Sequence, residues 1–356
     1  MTDPDTQSRQ EKFSGTREVA ERLSFDLAPL QRYLEEHVEG FSGDLKVQQF
    51  KGGQSCPTYL LEAGGKSYVL RRKPPGKLLP SAHAVDREYR VMTALRDTGV
   101  PVPRTYCLCT DESVVGTMFF VMEHVKGRIL WEALLPGMES AERFAIYDAM
   151  NRTLAKLHQV DYEAVGLSTY GKPGNYFARQ IHRWTKQYLA SETRDIPAMN
   201  ALIEWLPANI PDGDETTIVH GDFRLDNMIL HPERAEVIAI LDWELGTLGH
   251  PLADFSYHTM QWEIPKDKGG LKGRDLEAIG IPTLESYRDA YCRRTGRDGI
   301  AHWNFYLAYN LFRSAGIAQG IAGRVRDGTA ASAHAKEVGE SVPRTAGLAW
   351  EVAQRA

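Results

Sequence analysis

Two acids and an amide stand at positions where they could do chemistry together: Asp222, Asn227 and Asp242. Asp222 and Asn227 belong to the run Ile218-Val219-His220-Gly221-Asp222-Phe223-Arg224-Leu225-Asp226-Asn227, and Asp242 follows the apolar stretch ending at Leu241. Phosphoryl transfer asks a protein for little covalent work. It needs a carboxylate that orients a hydroxyl and accepts its proton, and ligands that hold Mg²⁺ against phosphates. Mg²⁺ prefers oxygen donors and commonly takes one or two carboxylates besides substrate phosphate. These residue types suit that reaction.

The spacing assigns the roles. In a protein-kinase catalytic loop an Asn follows the catalytic Asp by five residues, and a metal-binding Asp comes after a hairpin. Asp222 and Asn227 are five apart, and Met228–Leu230 and Val237–Leu241 read as hairpin strands around His231-Pro232-Glu233-Arg234. Asp222 is expected to be the catalytic base, with Asn227 and Asp242 as Mg²⁺ ligands. His220 taken alone reads as a core histidine bonded to a backbone carbonyl, and Asp226 as a turn former or helix cap. The joint pattern, rather than the short His-Gly-Asp, carries the functional reading.

Elements that would hold a nucleotide precede this loop. Gly52 and Gly53 lie between two strand-like runs, where backbone amides can approach phosphate closely. Ser67–Arg71 reads as a third strand and places Arg71 where a kinase carries its strand lysine. Glu88, on the next helix, can pair with it. Arg72 and Lys73 read as solvent-facing charges.

The chain of 356 residues is long enough for about two domains. Its 42% hydrophobic and 25% charged residues are ordinary for a soluble globular protein, and the net charge of −5 argues against nucleic-acid binding. The N-terminus has no apolar core segment, and polar residues interrupt Trp303–Ile321, so no membrane segment is expected. Four cysteines read as reduced thiols of a cytoplasmic protein. Residues 1–15 read as a disordered tail. An amphipathic helix is expected over Ala20–Val38, ending near Gly40, and another with Val85, Tyr89, Met92 and Leu95 on its buried stripe. Val114–Val125 reads as two strands about Gly116. After Gly127 helical patterns dominate, one of them with Phe144, Met150, Leu154 and Leu157 on its stripe. The expected fold class is α+β: a β-rich N-lobe over 16–125 and a larger, mainly helical C-lobe over 126–356.

Taken together, Gly52-Gly53-Gln54-Ser55, Tyr68-Val69-Leu70-Arg71, Glu88, the His-Gly-Asp block with Asn227, and Leu241-Asp242-Trp243 resemble the aminoglycoside phosphotransferase and choline kinase superfamily. Gly174-Asn175-Tyr176, Arg179, Trp184, Tyr188 and the stretch Asp242–Asp254 resemble one subgroup, the kinase-like domains associated with acyl-CoA dehydrogenases. The resemblance implies a bilobal protein-kinase-like fold using ATP and Mg²⁺. It implies phosphate contacts from Gly52, Gly53, Gln54 and Ser55, adenine bonded by backbone near Glu123 and Val125, and Asp254 as a structural acid. It further implies a hydroxyacyl-CoA acceptor and a functional link to an acyl-CoA dehydrogenase. Cys56 stands where the subgroup often has Asn.

An antibiotic phosphotransferase is the alternative enzyme, but polycationic aminoglycosides call for an acidic patch. Arg293, Arg294, Arg297, Arg313, Arg324 and Arg326 offer cations better matched to a CoA phosphate. A pseudokinase binding module has no need to keep Asp222, Asn227 and Asp242. A metal-dependent hydrolase would need further ligands that the sequence does not offer.

Overall fold

Alternation of buried and half-buried residues in Thr58–Ala63 makes β3, which turns through Gly64 and Gly65, both at positive φ, into β4 (Lys66–Arg72). A Gly-Gly pair suits the tight hairpin turns whose residues need positive φ. In the computed structural model, which describes residues 14–52, 56–76, 83–329 and 334–356, these strands lie within a six-stranded antiparallel sheet. Its order is β1-β2-β3-β4-β6-β5, with β1 at Thr16–Arg17, β2 at Lys46–Phe50, β5 at Thr105–Cys109 and β6 at Phe119–Glu123. Of the expected tail, only Ser14 and Gly15 fall among the described residues.

The chain divides into two compact units. The first contains residues up to Tyr170, Arg224–Gly246 and Asp275–Pro282; the second contains Gly171–Phe223, Thr247–Arg274 and Thr283–Ala356. In the first unit, one face of the sheet packs Tyr59, Leu61, Leu70 and Val121 with Leu30 and Leu34 of α1 (Leu27–His37). This helix begins later than the Ala20 expected from periodicity. The Asp26 carboxylate accepts the Ala28 N–H at 3.0 Å and caps the helix there, while Glu21–Leu23 forms a separate 3₁₀ turn. Helix α2 (Val85–Leu95) buries Val85, Met92 and Leu95 as expected, and Glu88 with them, whereas Tyr89 of the expected stripe is half-buried.

Val114–Val125 holds one strand, not two. Residues before β6 form a turn with Gly116 at φ 86°, and the partner of β6 is β5. Cys107 and Cys109, expected as reduced thiols, alternate inward with Thr105 as residues of a half-buried strand should. In α3 (Ser140–His158), Met150, Leu154 and Leu157 are buried, but Phe144 is 54% exposed and leaves the expected stripe. The hairpin of Met228–Leu230 and Val237–Ile240 completes this unit. Arg128 exchanges both backbone hydrogen bonds with its Leu230, each at 2.8 Å. A Cβ on Gly127 would come within 2.2 Å of the Leu230 carbonyl, so only glycine allows this approach.

The second unit is mainly helical and is organised around Trp303–Arg326. Phe305, Tyr306 and Tyr309 of that helix meet Phe177 of the helix Tyr176–Ala190. Of the polar residues that interrupt this helix, Asn310, Arg313 and Gln319 are buried, and Asn310 Nδ2 donates to the Ala253 carbonyl at 2.8 Å and to Ser256 Oγ at 2.7 Å. Among the described residues no helix is long and apolar enough to cross a membrane. The four cysteines are free and buried.

His258, on the helix Pro251–Thr259, is buried against Phe223, and its Nε2 lies 2.6 Å from Tyr287 Oη. Burial pushes its imidazole down to about 4, against a raising backbone hydrogen bond with Phe223. The unfolded chain therefore takes up a proton near 6.5 that the folded chain refuses until about 4. Stability from this group is full above pH 6.5 and falls between 6.5 and 4, by up to ~3 kcal/mol. The Tm of His258→Asn is expected to vary less over that range than the parent's. An equal slope in both would contradict the assignment.

Candidate active site

Strand β4 is buried along most of its length, so the Arg71 side chain enters protein and must find counter-charge there. It finds two carboxylates. Nε donates to Glu88 Oε1 at 2.9 Å and Nη2 to Asp242 Oδ1 at 2.5 Å, with Arg71 only 7% exposed and Glu88 1%. Burial lowers the Arg71 guanidinium, but Glu88 and Asp242 more than offset this and hold it above its ordinary value, so it stays charged. Burial pushes the Glu88 carboxyl up to about 7, with Arg71 pulling the other way. Arg71 thus joins β4, α2 and the segment after the hairpin. Arg72, expected at the surface, is buried as well, its Nη1 donating to the Val115 carbonyl at 2.8 Å.

The hairpin brings Asn227 and Asp242 to one end. Asn227 closes the 3₁₀ turn Leu225–Asn227, and its carbonyl accepts the Leu241 N–H at 2.8 Å, one rung beyond the Met228–Ile240 pair. Asp242 adopts φ 63°, a left-handed conformation that short polar side chains tolerate better than most. The fully buried Trp243 fixes the turn, its indole donating to the Ile240 carbonyl at 3.1 Å. Asp226, read as a turn former, lies in the 3₁₀ turn and pairs with Arg224 at 2.9 Å.

Arg71, Glu88, Asp226, Asn227 and Asp242 line a cavity of about 700 Å³ within the first unit. Val69, Phe120, Met122, Ile229 and Leu241 give it an apolar body, while Arg71, Glu88, Asn227 and Asp242 contribute charged and amide groups. Gly52, Glu123 and Val125 also line it. Gly53, Gln54 and Ser55 lie outside the described residues. Glu123 ends β6, where its N–H donates to the Arg104 carbonyl at 2.7 Å.

Asp222 belongs to the second unit, and the chain enters the first between Phe223 and Arg224. The Tyr257 hydroxyl donates to Asp222 Oδ1. The loop before it is held by Asp254, whose Oδ2 accepts the His220 N–H at 2.7 Å and whose Oδ1 accepts the Gly221 N–H at 2.9 Å. Arg313 Nη2 donates to the Gly221 carbonyl at 2.8 Å, and its guanidinium lies 5.1 Å from the Tyr257 ring centroid. His220 is fully buried, as expected of a core histidine, but the bond at its Nδ1 is to a backbone N–H rather than a carbonyl: it accepts from Asp222 at 3.2 Å.

Tyr257 and the burial of Arg313 lie outside the expectations drawn from the sequence. Tyr257 stands three residues after Asp254 on one helix, and that spacing shares a face, so the signal was present. Arg313, expected among cations open to a phosphate, is buried under the loop. Arg297 pairs with Glu215, and Arg326 with Asp327 and the Glu192 carbonyl. Arg293 and Arg324 remain exposed.

Removing one partner from a buried pair leaves an uncompensated charge, at about 3–5 kcal/mol. Arg71→Ala is therefore expected to lower the Tm sharply, and Arg71→Met combined with Glu88→Leu to recover much of the loss. A double variant no more stable than Arg71→Ala would contradict the pairing.

With this geometry in view, comparison with known proteins gives a consistent result. The model of the phosphotransferase enzyme family matches residues 46–306. The chain is 46% identical over 344 residues to acyl-CoA dehydrogenase family member 10 of Mus musculus, covering 96% of this chain and 32% of that protein. To family member 11 of Homo sapiens it is 46% identical over 314 residues, covering 86% of this chain and 40% of the relative. It thus spans from about a third to two fifths of these relatives' length. A crystal structure from Ralstonia eutropha, provisionally named an aminoglycoside phosphotransferase, is 55% identical, with a TM-score of 0.87 over 94% of this chain and 99% of that one. The aminoglycoside phosphotransferase APH(4)-Ia, solved with ADP and hygromycin B, shares the fold at a TM-score of 0.57 and 14% identity, over 92% of this chain and 98% of its own. With its antiparallel sheet, helical unit and hairpin-borne acid, the chain has the α+β, protein-kinase-like architecture and belongs to the phosphotransferase enzyme family.

Proposed function

We propose that the chain transfers the γ-phosphoryl group of ATP to a hydroxyl of a hydroxyacyl-CoA or a related hydroxy acid, using Mg²⁺. The observation that carries this reading is the convergence of Arg71, Glu88, Asn227 and Asp242 on one cavity. Its volume of about 700 Å³ suits a nucleotide-sized ligand. The apolar body would take the adenine, with backbone bonds near Glu123 and Val125. Gly52, with Gly53, Gln54 and Ser55, would meet the phosphates, and Arg71 would neutralise part of their charge. In this proposal residues 16–125 form the nucleotide lobe and 126–356 carry the catalytic loop and the acceptor site.

Asn227 and Asp242 fit a Mg²⁺ site by chemistry and placement: both offer oxygen donors, and the Leu241–Asn227 hydrogen bond holds their segments at one hairpin end. Bound there, Mg²⁺ would neutralise charge on the transferring phosphate. Asp222 would accept the acceptor's hydroxyl proton as that oxygen bonds phosphorus and the bond to the ADP oxygen breaks. Tyr257 orients its carboxylate, and Asp254 and Arg313 hold the preceding backbone. Asp222 is joined to Asn227 within one loop, as in kinases.

The acceptor class rests on the acyl-CoA dehydrogenase relatives, which match nearly the whole chain. A phosphorylated hydroxyl is a better leaving group than a free one, so such a kinase can prepare a hydroxyacyl thioester for a partner acyl-CoA dehydrogenase. The provisional name of the Ralstonia relative favours an antibiotic acceptor instead.

The deciding assay is ADP release from Mg-ATP with 3- and 4-hydroxyacyl-CoAs, free hydroxy acids, choline, homoserine and kanamycin. Turnover of a hydroxyacyl-CoA alone is expected; turnover of kanamycin alone would overturn the acceptor assignment. Asp222→Asn is expected to lower kcat by at least about 100-fold while retaining Mg-ATP binding. Asp242→Ala is expected to lose Mg²⁺-dependent nucleotide binding by calorimetry. Parental turnover in the first, or parental binding in the second, would remove the assigned role.

A further inference from the structure

Cys56, His83 and Glu244 bring metal-binding atoms together apart from the Asn227–Asp242 pair. Cys56 precedes β3, His83 precedes α2, and Glu244 lies in the 3₁₀ turn that follows Asp242, all within the first unit. Their sulfur, ring nitrogen and carboxylate oxygen lie within 4.8 Å of one another. Cys56 Sγ is 3.6 Å from His83 Nδ1, which is 3.2 Å from Glu244 Oε1. The sulfur is fully buried, whereas the His83 and Glu244 side chains are 24% and 23% exposed, so the cluster has a closed floor and an open rim.

Hydrogen bonding alone serves this cluster poorly. The same Nδ1 faces both the thiol and the carboxylate, and a ring nitrogen carries either a proton for one or a lone pair for the other. A cation at the centre satisfies all three donors together. The two distances from Nδ1 agree with that arrangement: zinc bonds of about 2.3 Å to sulfur and about 2.0 Å to nitrogen and oxygen, at tetrahedral angles, set sulfur and nitrogen about 3.5 Å apart and nitrogen and oxygen about 3.3 Å apart.

We propose that Cys56, His83 and Glu244 bind a thiophilic divalent cation of the Zn²⁺ type, with three protein ligands and one open position. Thiolate and imidazole select such an ion over Mg²⁺, whereas the Asn227–Asp242 pair is all oxygen. An ion bound here ties the entry to β3 and the start of α2 to the turn following Asp242.

The test is titration of the full chain with Co²⁺ in excess Mg²⁺, followed by absorbance. It reads binding rather than turnover, so it does not depend on the kinase reading. A thiolate-to-cobalt charge-transfer band saturating at about one equivalent is expected, displaced by Zn²⁺ and retained in Cys292→Ser. Cys56→Ser is expected to abolish the band and His83→Ala to weaken Zn²⁺ binding by at least about 100-fold. Glu244→Gln, a partly exposed near-isosteric change, gives a second reading should Cys56→Ser fold poorly, and is expected to weaken binding by about tenfold or more. Absence of the band, its survival in Cys56→Ser, or parental affinity in Glu244→Gln would overturn the site.

Discussion

A guanidinium taken out of water has to be met by negative charge, and Arg71 meets it twice. Glu88 arrives from α2 and Asp242 from the turn after the hairpin, so one side chain fixes three segments that are far apart in sequence. The planar fork allows this, because Nε and Nη2 point along different directions and each takes its own carboxylate; a lysine would offer a single charged point. The rest of the cavity follows from that junction. The strand that carries Arg71 lies beside β6, in register from Tyr68–Glu123 to Arg72–Phe119, and β6 ends at the segment proposed to bond adenine. Gly127 and Arg128 then join the chain to the hairpin that carries Asn227 and Asp242.

A second buried junction organises the loop around Asp222. Asp254 uses both oxygens on successive backbone N–H groups, and Arg313 takes the carbonyl of Gly221. Hydrogen bonds to a charged group are worth more than neutral ones, and they also set the loop's conformation. Gly221 sits at φ 80°, which lets the backbone direct an N–H to Asp254 and a carbonyl to Arg313. Both junctions pair an arginine or an aspartate with groups carried on other elements. The chemistry proposed for Asp222, Asn227 and Asp242 therefore rests on ionic and backbone contacts more than on the local loop sequence.

Much of this was legible in the residues. The His-Gly-Asp loop, its Asn at plus five, the hairpin and the acid after it have fixed local spacing, and Arg71 with Glu88 follows a strand–helix order. These are short-range patterns, and one sequence displays them. What was not legible depends on packing. Nothing local shows that Phe144 stays exposed while Asn310 and Arg313 are buried, because the partners of Asn310 and Arg313 lie dozens of residues away. The start of α1 was misplaced because an apolar stripe continued past a cap that interrupts it. Strand β5 was passed over because its two cysteines were weighed as chemistry rather than as alternating core residues. The Cys56–His83–Glu244 cluster joins three segments that no spacing rule connects.

The central claim is that the cavity around Arg71 holds Mg-ATP. A crystal structure with Mg²⁺ and a non-hydrolysable ATP analogue tests it most directly. The account predicts adenine beside the Glu123–Val125 backbone, phosphates against Arg71, and the ion coordinated by Asn227 and Asp242. A nucleotide bound elsewhere, or an ion held without either of those residues, would contradict it.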